Sequence, residues 1–77
     1  MSKNNLNIIT NPVIDNLFFN QTLQHANVIL TNVEGKKILE LNDISSNAID
    51  ATMISAGTYV VTVKENERVS TFRIVKR

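Results

Sequence analysis

Cysteine and tryptophan are absent from this chain, glycine occurs twice and proline once. Without cysteine no disulfide can supply stability, and no recognisable metal cluster takes its place, so hydrophobic packing has to carry the fold. In 77 residues that packing amounts to one small core, because a domain of this size hides only about 60–65% of the surface its unfolded chain exposes. The expected stability is modest, roughly 4–12 kcal/mol. No apolar run exceeds four residues, which excludes a transmembrane helix and also the apolar centre of a signal peptide. Eight Lys and Arg oppose seven Asp and Glu for a net charge of +1. Binding to a phosphate backbone needs a strong basic excess, so no nucleic-acid partner is expected.

With so little glycine, the turns need another residue. Eleven Asn are present, and Asn tolerates positive φ better than other non-glycine residues and bonds to its own backbone. Between these punctuation marks the apolar residues recur at the two-residue period of a pleated strand. The pattern is clearest in Gly57-Thr58-Tyr59-Val60-Val61-Thr62-Val63 and in Val69-Ser70-Thr71-Phe72-Arg73-Ile74-Val75, with Lys64 to Arg68 as a hairpin turn between them. The last strand closes on Lys76-Arg77 with no polar tail, and an ordered end of this kind can serve as an address, since most termini fray unless a sheet ties them down.

Upstream, Leu6-Asn7-Ile8-Ile9-Thr10 begins an extended run that Asn11-Pro12 halts, because proline lacks a donor and pushes the residue before it out of the helical region. Val13 to Asn20 reads as a strand with Val13, Leu17 and Phe19 on one face and Ile14, Asn16 and Phe18 on the other. Ala26 to Asn32 and Lys36 to Asn42 form a hairpin closed at Gly35, the residue best able to take a left-handed conformation. Asn47 to Asp50 is a brief strand, and Ala51 to Ala56 a connector with room for one helical turn. Six or seven short strands, with turn signals at intervals of about eight to twelve residues, predict an all-β fold: an immunoglobulin-like antiparallel β-sandwich.

Four of these blocks, in order, resemble the C-terminal sorting domain of proteins exported by the type IX (Por) secretion system of Bacteroidetes, type A. Thr10-Asn11-Pro12-Val13-Ile14-Asp15-Asn16-Leu17 is similar to the family's opening Pro-Asn-Pro block and the strand after it, with Thr10 standing where the first proline is usual. Val28 to Ile38 is similar to its strand, glycine turn and return strand. Ser55-Ala56-Gly57-Thr58-Tyr59 opens a stretch similar to its Gly-x-Tyr strand, and Thr71 to Arg77 is similar to its basic closing strand. The likeness runs from about Ile8 to Arg77, so residues 6–77 are expected to be the sorting domain and residues 1–5 a flexible segment or an expression start.

The resemblance implies an address rather than a reaction. Such a domain follows a cargo that reaches the periplasm by its own signal peptide. Translocon and shuttle proteins recognise the domain, a sortase-like peptidase commonly removes it, and the cargo is secreted or held at the cell surface. Recognition residues implied in this way are Asn11, Pro12, Gly35, Gly57, Tyr59, Lys76 and Arg77. A cation pair such as Lys76 and Arg77 offers charge-assisted bonds to an acidic groove. Each has an ordinary structural alternative: Asn11-Pro12 as strand terminator, Gly57 and Tyr59 as strand start and core ring, Lys76 as a guard against edge pairing. Phe18, in the outward phase, is a further candidate contact.

No catalytic, metal-binding or cofactor-binding residue is expected. His25, the only histidine, has no nucleophile-elbow serine to serve and reads as a solvated loop residue. Glu34, Asp43 and Asp50 lack the spacing of a calcium loop. The expected protein is a monomer that does not insert into a membrane. Its rivals are an adhesive or carbohydrate-binding immunoglobulin-like module, which the scarcity of aromatics for sugar stacking disfavours, and a structural spacer.

Overall fold

In a computed structural model, residues 6–77 are described; the segment expected to be loose, residues 1–5, lies outside them. Six strands follow one another: β1 (Asn16–Phe18), β2 (Ala26–Asn32), β3 (Lys37–Ile44), β4 (Ala48–Asp50), β5 (Gly57–Glu65) and β6 (Arg68–Lys76). No described residue lies in a helix. One sheet has the order β3-β2-β5-β6 and the other pairs β1 with β4. Every pairing between these strands is antiparallel. The result is an all-β sandwich consistent with immunoglobulin-like architecture.

The two-residue alternation decides what is inside. Along β5, Tyr59, Val61 and Val63 are buried while Thr58, Val60 and Thr62 on the opposite face are half-buried. Register places Val63 beside Val28, Val61 beside Leu30 and Tyr59 beside Ile74, so the inward side chains of β2, β5 and β6 form one apolar surface. Val13, Leu17, Phe19, Leu23, Ile49, Ala51 and Ile54 close over it from the other side. Val13, Leu17 and Phe19 share the inner face as their spacing predicts; Ile14 and Asn16 point to solvent, and Phe18 is half-buried. Each fully buried large side chain contributes roughly 1.5–3 kcal/mol.

The turns explain the register. At the β2–β3 hairpin, the Asn32 side-chain oxygen accepts from the Glu34 and Lys36 amides at 2.9 and 3.0 Å, and Gly35 takes φ +85°. The β5–β6 turn is tighter than the five residues expected from sequence. Glu65 and Arg68 pair directly, leaving only Asn66-Glu67 between them. Asn66 adopts φ 59°, the left-handed conformation that two-residue hairpins demand, so an asparagine here does the work of glycine.

Two expectations need correcting. Leu6 to Thr10 forms no strand: only Ile8 bridges to Phe19, and the Thr10 hydroxyl takes the Phe18 amide at 3.0 Å, so a side chain replaces the backbone acceptor that a ladder requires. Regular pairing within Val13 to Asn20 is confined to Asn16–Phe18. Ala51 to Ala56 goes no further toward helix than one turn, closed by the Ile54 amide on the Ala51 carbonyl at 3.4 Å; Asp50 accepts from the Thr52 amide and hydroxyl at 2.9 and 2.7 Å, an Asx arrangement that competes with helix.

Leu17 is fully buried opposite Ile49. Leu17→Ala is expected to cost about 2–5 kcal/mol, a large part of the whole stability. Urea unfolding followed by circular dichroism will show the lower midpoint with the slope unchanged.

Candidate recognition surface

The end of the sandwich where β5 begins and β6 finishes gathers residues from distant parts of the chain. Gly57 pairs with Lys76, and Tyr59 pairs with Ile74 on one side and Asn32 on the other. The Asn32 end of β2 leads directly into the turn that holds Gly35, so that turn sits at the same end of the sheet. The chain before β1 then crosses to the outer edge of β6. There the Val13 amide donates to the Val75 carbonyl at 2.7 Å, and the Arg77 amide donates to the Val13 carbonyl at 2.8 Å. The Asn11 side-chain oxygen accepts the Val75 amide at 3.1 Å. This clip is a single parallel bridge between Val13 and Lys76 in an otherwise antiparallel structure.

All seven residues singled out from sequence therefore lie at one end of a molecule 36 Å long, though not with equal access. Asn11, Pro12, Gly35, Gly57 and Arg77 are exposed. Tyr59 is buried, and its hydroxyl donates to the Ser55 carbonyl at 2.7 Å, which satisfies the polar tip of a core ring. Lys76 is buried to 9% exposure, with its ammonium donating to the Arg77 main-chain oxygen at 3.3 Å. Gly57 has φ +154°, a conformation that a side chain rarely adopts. Beside these residues, Gly35, Thr58, Val60 and Arg73 line a shallow groove of about 450 Å³ on the outer face of the large sheet.

The opposite end is polar and tied to itself. His25 Nδ1 lies 2.6 Å from Asp43 Oδ1, both side chains largely exposed. The two residues have φ of 51° and 57°, and the register of β2 against β3 shifts beside them, between Ala26 and Val28. The loop histidine is solvated as expected, and its carboxylate partner had no sequence signal. The Gln24 amide donates to Glu65 at 2.7 Å in the same region. Phe19, Phe72 and Tyr59 are buried or half-buried, as is Phe18, so no ring stands out for a sugar to stack on.

The clip at β6 had no local signature either. Asn11 and Val75 stand 64 positions apart, and the Asn-Pro dipeptide by itself indicates only a break. Among carboxylates, Asp50 is held below its ordinary value of 3.8 by the Thr52 amide and then by the Thr52 hydroxyl, against a small opposing effect of desolvation.

These features define a small β-sandwich module with a basic, backbone-ordered end and no assembled catalytic constellation among the described residues. Compared with known families, residues 5–77 match the model described as "Secretion system C-terminal sorting domain". The chain belongs to that family. It is thus a sorting signal for type IX secretion, a role that implies the type IX machinery and an N-terminal cargo as partners and delivery to the cell surface or the exterior. The family is not an enzyme family. No curated protein matches the sequence.

Two measurements follow. Asn11→Ala removes one acceptor at a partly open site, and a lost hydrogen bond of this kind costs about 1 kcal/mol; the Val75 amide is expected to exchange with solvent faster while the Val61 amide does not change. The depressed Asp50 carboxyl stabilises the fold above pH 3.8 and loses that contribution as pH falls through the lower folded value. Asp50→Asn should therefore narrow the stability difference between neutral and acid solution in a pH series of urea melts.

Proposed function

We propose that the end of the domain carrying Asn11–Val13 and Lys76–Arg77 is the surface that translocon and shuttle proteins of the type IX system bind. The domain is then of type A, and a sortase-like peptidase removes it from its cargo, which is released or attached to surface lipopolysaccharide. The observation that carries this reading is the clip: it ties Asn11 and Val13 to Val75 and Arg77, at the end of the sheet where the ladder already brings Gly35, Gly57 and Tyr59. Asn11, Pro12, Gly35, Gly57 and Arg77 are accessible for contact. Tyr59 and Lys76 hold the backbone that presents them.

Charge supports the same reading. Lys36, Arg73 and Arg77 are exposed at or near this end and none is in an ion pair among the described residues, so their donors suit an acidic receptor groove. The domain acts alone, as a monomer, in this scheme.

A passenger placed ahead of Leu6, behind a signal peptide, is expected to reach the surface of a type IX host. Removing Phe72 to Arg77 should trap it in the periplasm. That deletion also removes the buried Ile74, so the more selective variant is Arg77→Glu, which keeps the core and should lower surface delivery several-fold. Delivery at the wild-type level with Arg77→Glu in a folded domain refutes the assignment of this end.

A further inference from the structure

β6 is an edge strand whose outer side is covered over only part of its length. In an antiparallel ladder, alternate residues turn both backbone groups away from the partner strand. Val75 marks the phase here, because its amide and carbonyl face outward to Asn11 and Val13. Counting back in twos, the amides and carbonyls of Arg73, Thr71 and Val69 face the same way. Nothing among the described residues pairs with them. The upstream chain that could have continued along this edge diverges instead, with Ile8 bridging to Phe19 and the Ile9 amide donating to the Phe18 carbonyl at 2.9 Å.

Edges left open are usually blunted by proline, bulges or charged side chains, and the one charge from Val69 to Arg73 is Arg73. From Val69 to Arg73 there is no proline, and the register against β5 runs unbroken. Phe72, half-buried on the inner face, stands edge-on to Phe19 with ring centroids 6.3 Å apart and leaves part of its ring uncovered. Arg73, exposed on the outer face opposite Val60, makes no ion pair among the described residues. The stretch Val69 to Arg77 contains Arg73, Lys76 and Arg77 and neither Asp nor Glu.

We propose that the open edge of β6, Val69 to Arg73, receives an extended segment from a protein of the type IX machinery, which adds to the sheet as a further strand. One of its apolar side chains covers Phe72 and an acidic one meets Arg73. The proposal rests on the sorting reading above and names the mode of binding: main-chain bonds supply affinity, and alternate side chains supply selectivity. A second copy of this chain is the wrong occupant on charge. β6 of a second copy brings no Asp or Glu side chain, Glu67 lying in the turn before it, and on β3, the sheet's other edge, Glu40 is already held by Lys37 at 2.6 Å and Asp43 by His25.

The test uses the isolated 77-residue chain and a short peptide alternating valine and glutamate, with the valine–lysine peptide as control. Hydrogen exchange read by NMR should show new protection at Val69, Thr71 and Arg73 with the acidic peptide. Ser70 and Phe72, already bonded to β5, should not change. Thr71→Pro removes an outward donor without touching the β5–β6 ladder and should weaken binding roughly tenfold or more. Absence of protection, equal binding of the lysine peptide, or concentration-dependent dimerisation that Thr71→Pro abolishes would each overturn the proposal.

In the export assay, Thr71→Pro should reduce passenger delivery while circular dichroism stays native. Wild-type delivery with folded Thr71→Pro, alongside impaired delivery with Arg77→Glu, overturns edge addition and leaves the sorting reading intact. Wild-type delivery with both variants overturns both. Should Thr71→Pro fail to fold, Arg73→Glu, a solvent-exposed change, takes its place in both assays with the same outcomes.

Discussion

β5 is hydrogen-bonded along both edges, to β2 and to β6, and its alternation of Tyr59, Val61 and Val63 inward with Thr58, Val60 and Thr62 outward fixes the register of both those neighbours against it. A slip of one residue would turn the buried set to solvent and the threonines into the core, so the pairing is strongly specified. Gly57 meets Lys76, Asn32 meets Tyr59, and the Gly35 turn falls at the same end as a consequence of that one ladder. With no disulfide available and no core large enough to absorb errors, this constraint has no substitute elsewhere in the chain.

Function follows from where the ladder ends. A terminal strand in a small sandwich tends to fray, since its last residues have a partner on one side only. Asn11 and Val13 supply the second partner for Val75 and Arg77. The basic end is thereby ordered backbone, and a receptor that bound it as proposed would lose less entropy in doing so. Under the proposed reading, a sorting signal carried by a fold rather than by a linear peptide depends on this kind of order, because the groups offered for contact come from both ends of the chain. Farther back along β6, the clip gives way to open edge, so one strand offers both a fixed end and an unfilled side.

Much of this architecture is legible in the order of the amino acids. Alternation identifies the inward residues of β5 and the buried set Val13, Leu17 and Phe19, because a half-covered sheet tolerates no other arrangement. Gly35 is readable as a turn because few residues accept φ +85° without cost. The failures have equally specific causes. Leu6 to Thr10 has the composition of a strand, yet Thr10 and Asn20 side chains bond to its backbone and to that of its neighbour, and side-chain competition of this sort leaves no mark on an apolar pattern. The β5–β6 turn reads as longer than it is because charged residues occupy strand positions there: Lys64 on the outer face, and Arg68 in the inward phase but at the exposed end of the sheet.

The amino-acid order by itself determined the period of the strands, the faces they bury, the positions of the two hairpins and membership of the sorting-domain family, since all of these depend on residues near one another or on local backbone preference. Only the tertiary structure decided that Asn11 caps the Val75 amide, that His25 faces Asp43, that Lys76 is withdrawn while Arg77 stays accessible, and that β6 keeps an open edge. Those outcomes come from packing two sheets together, which brings distant segments into hydrogen-bond range, and no local rule encodes a contact whose partners are separated by most of the chain.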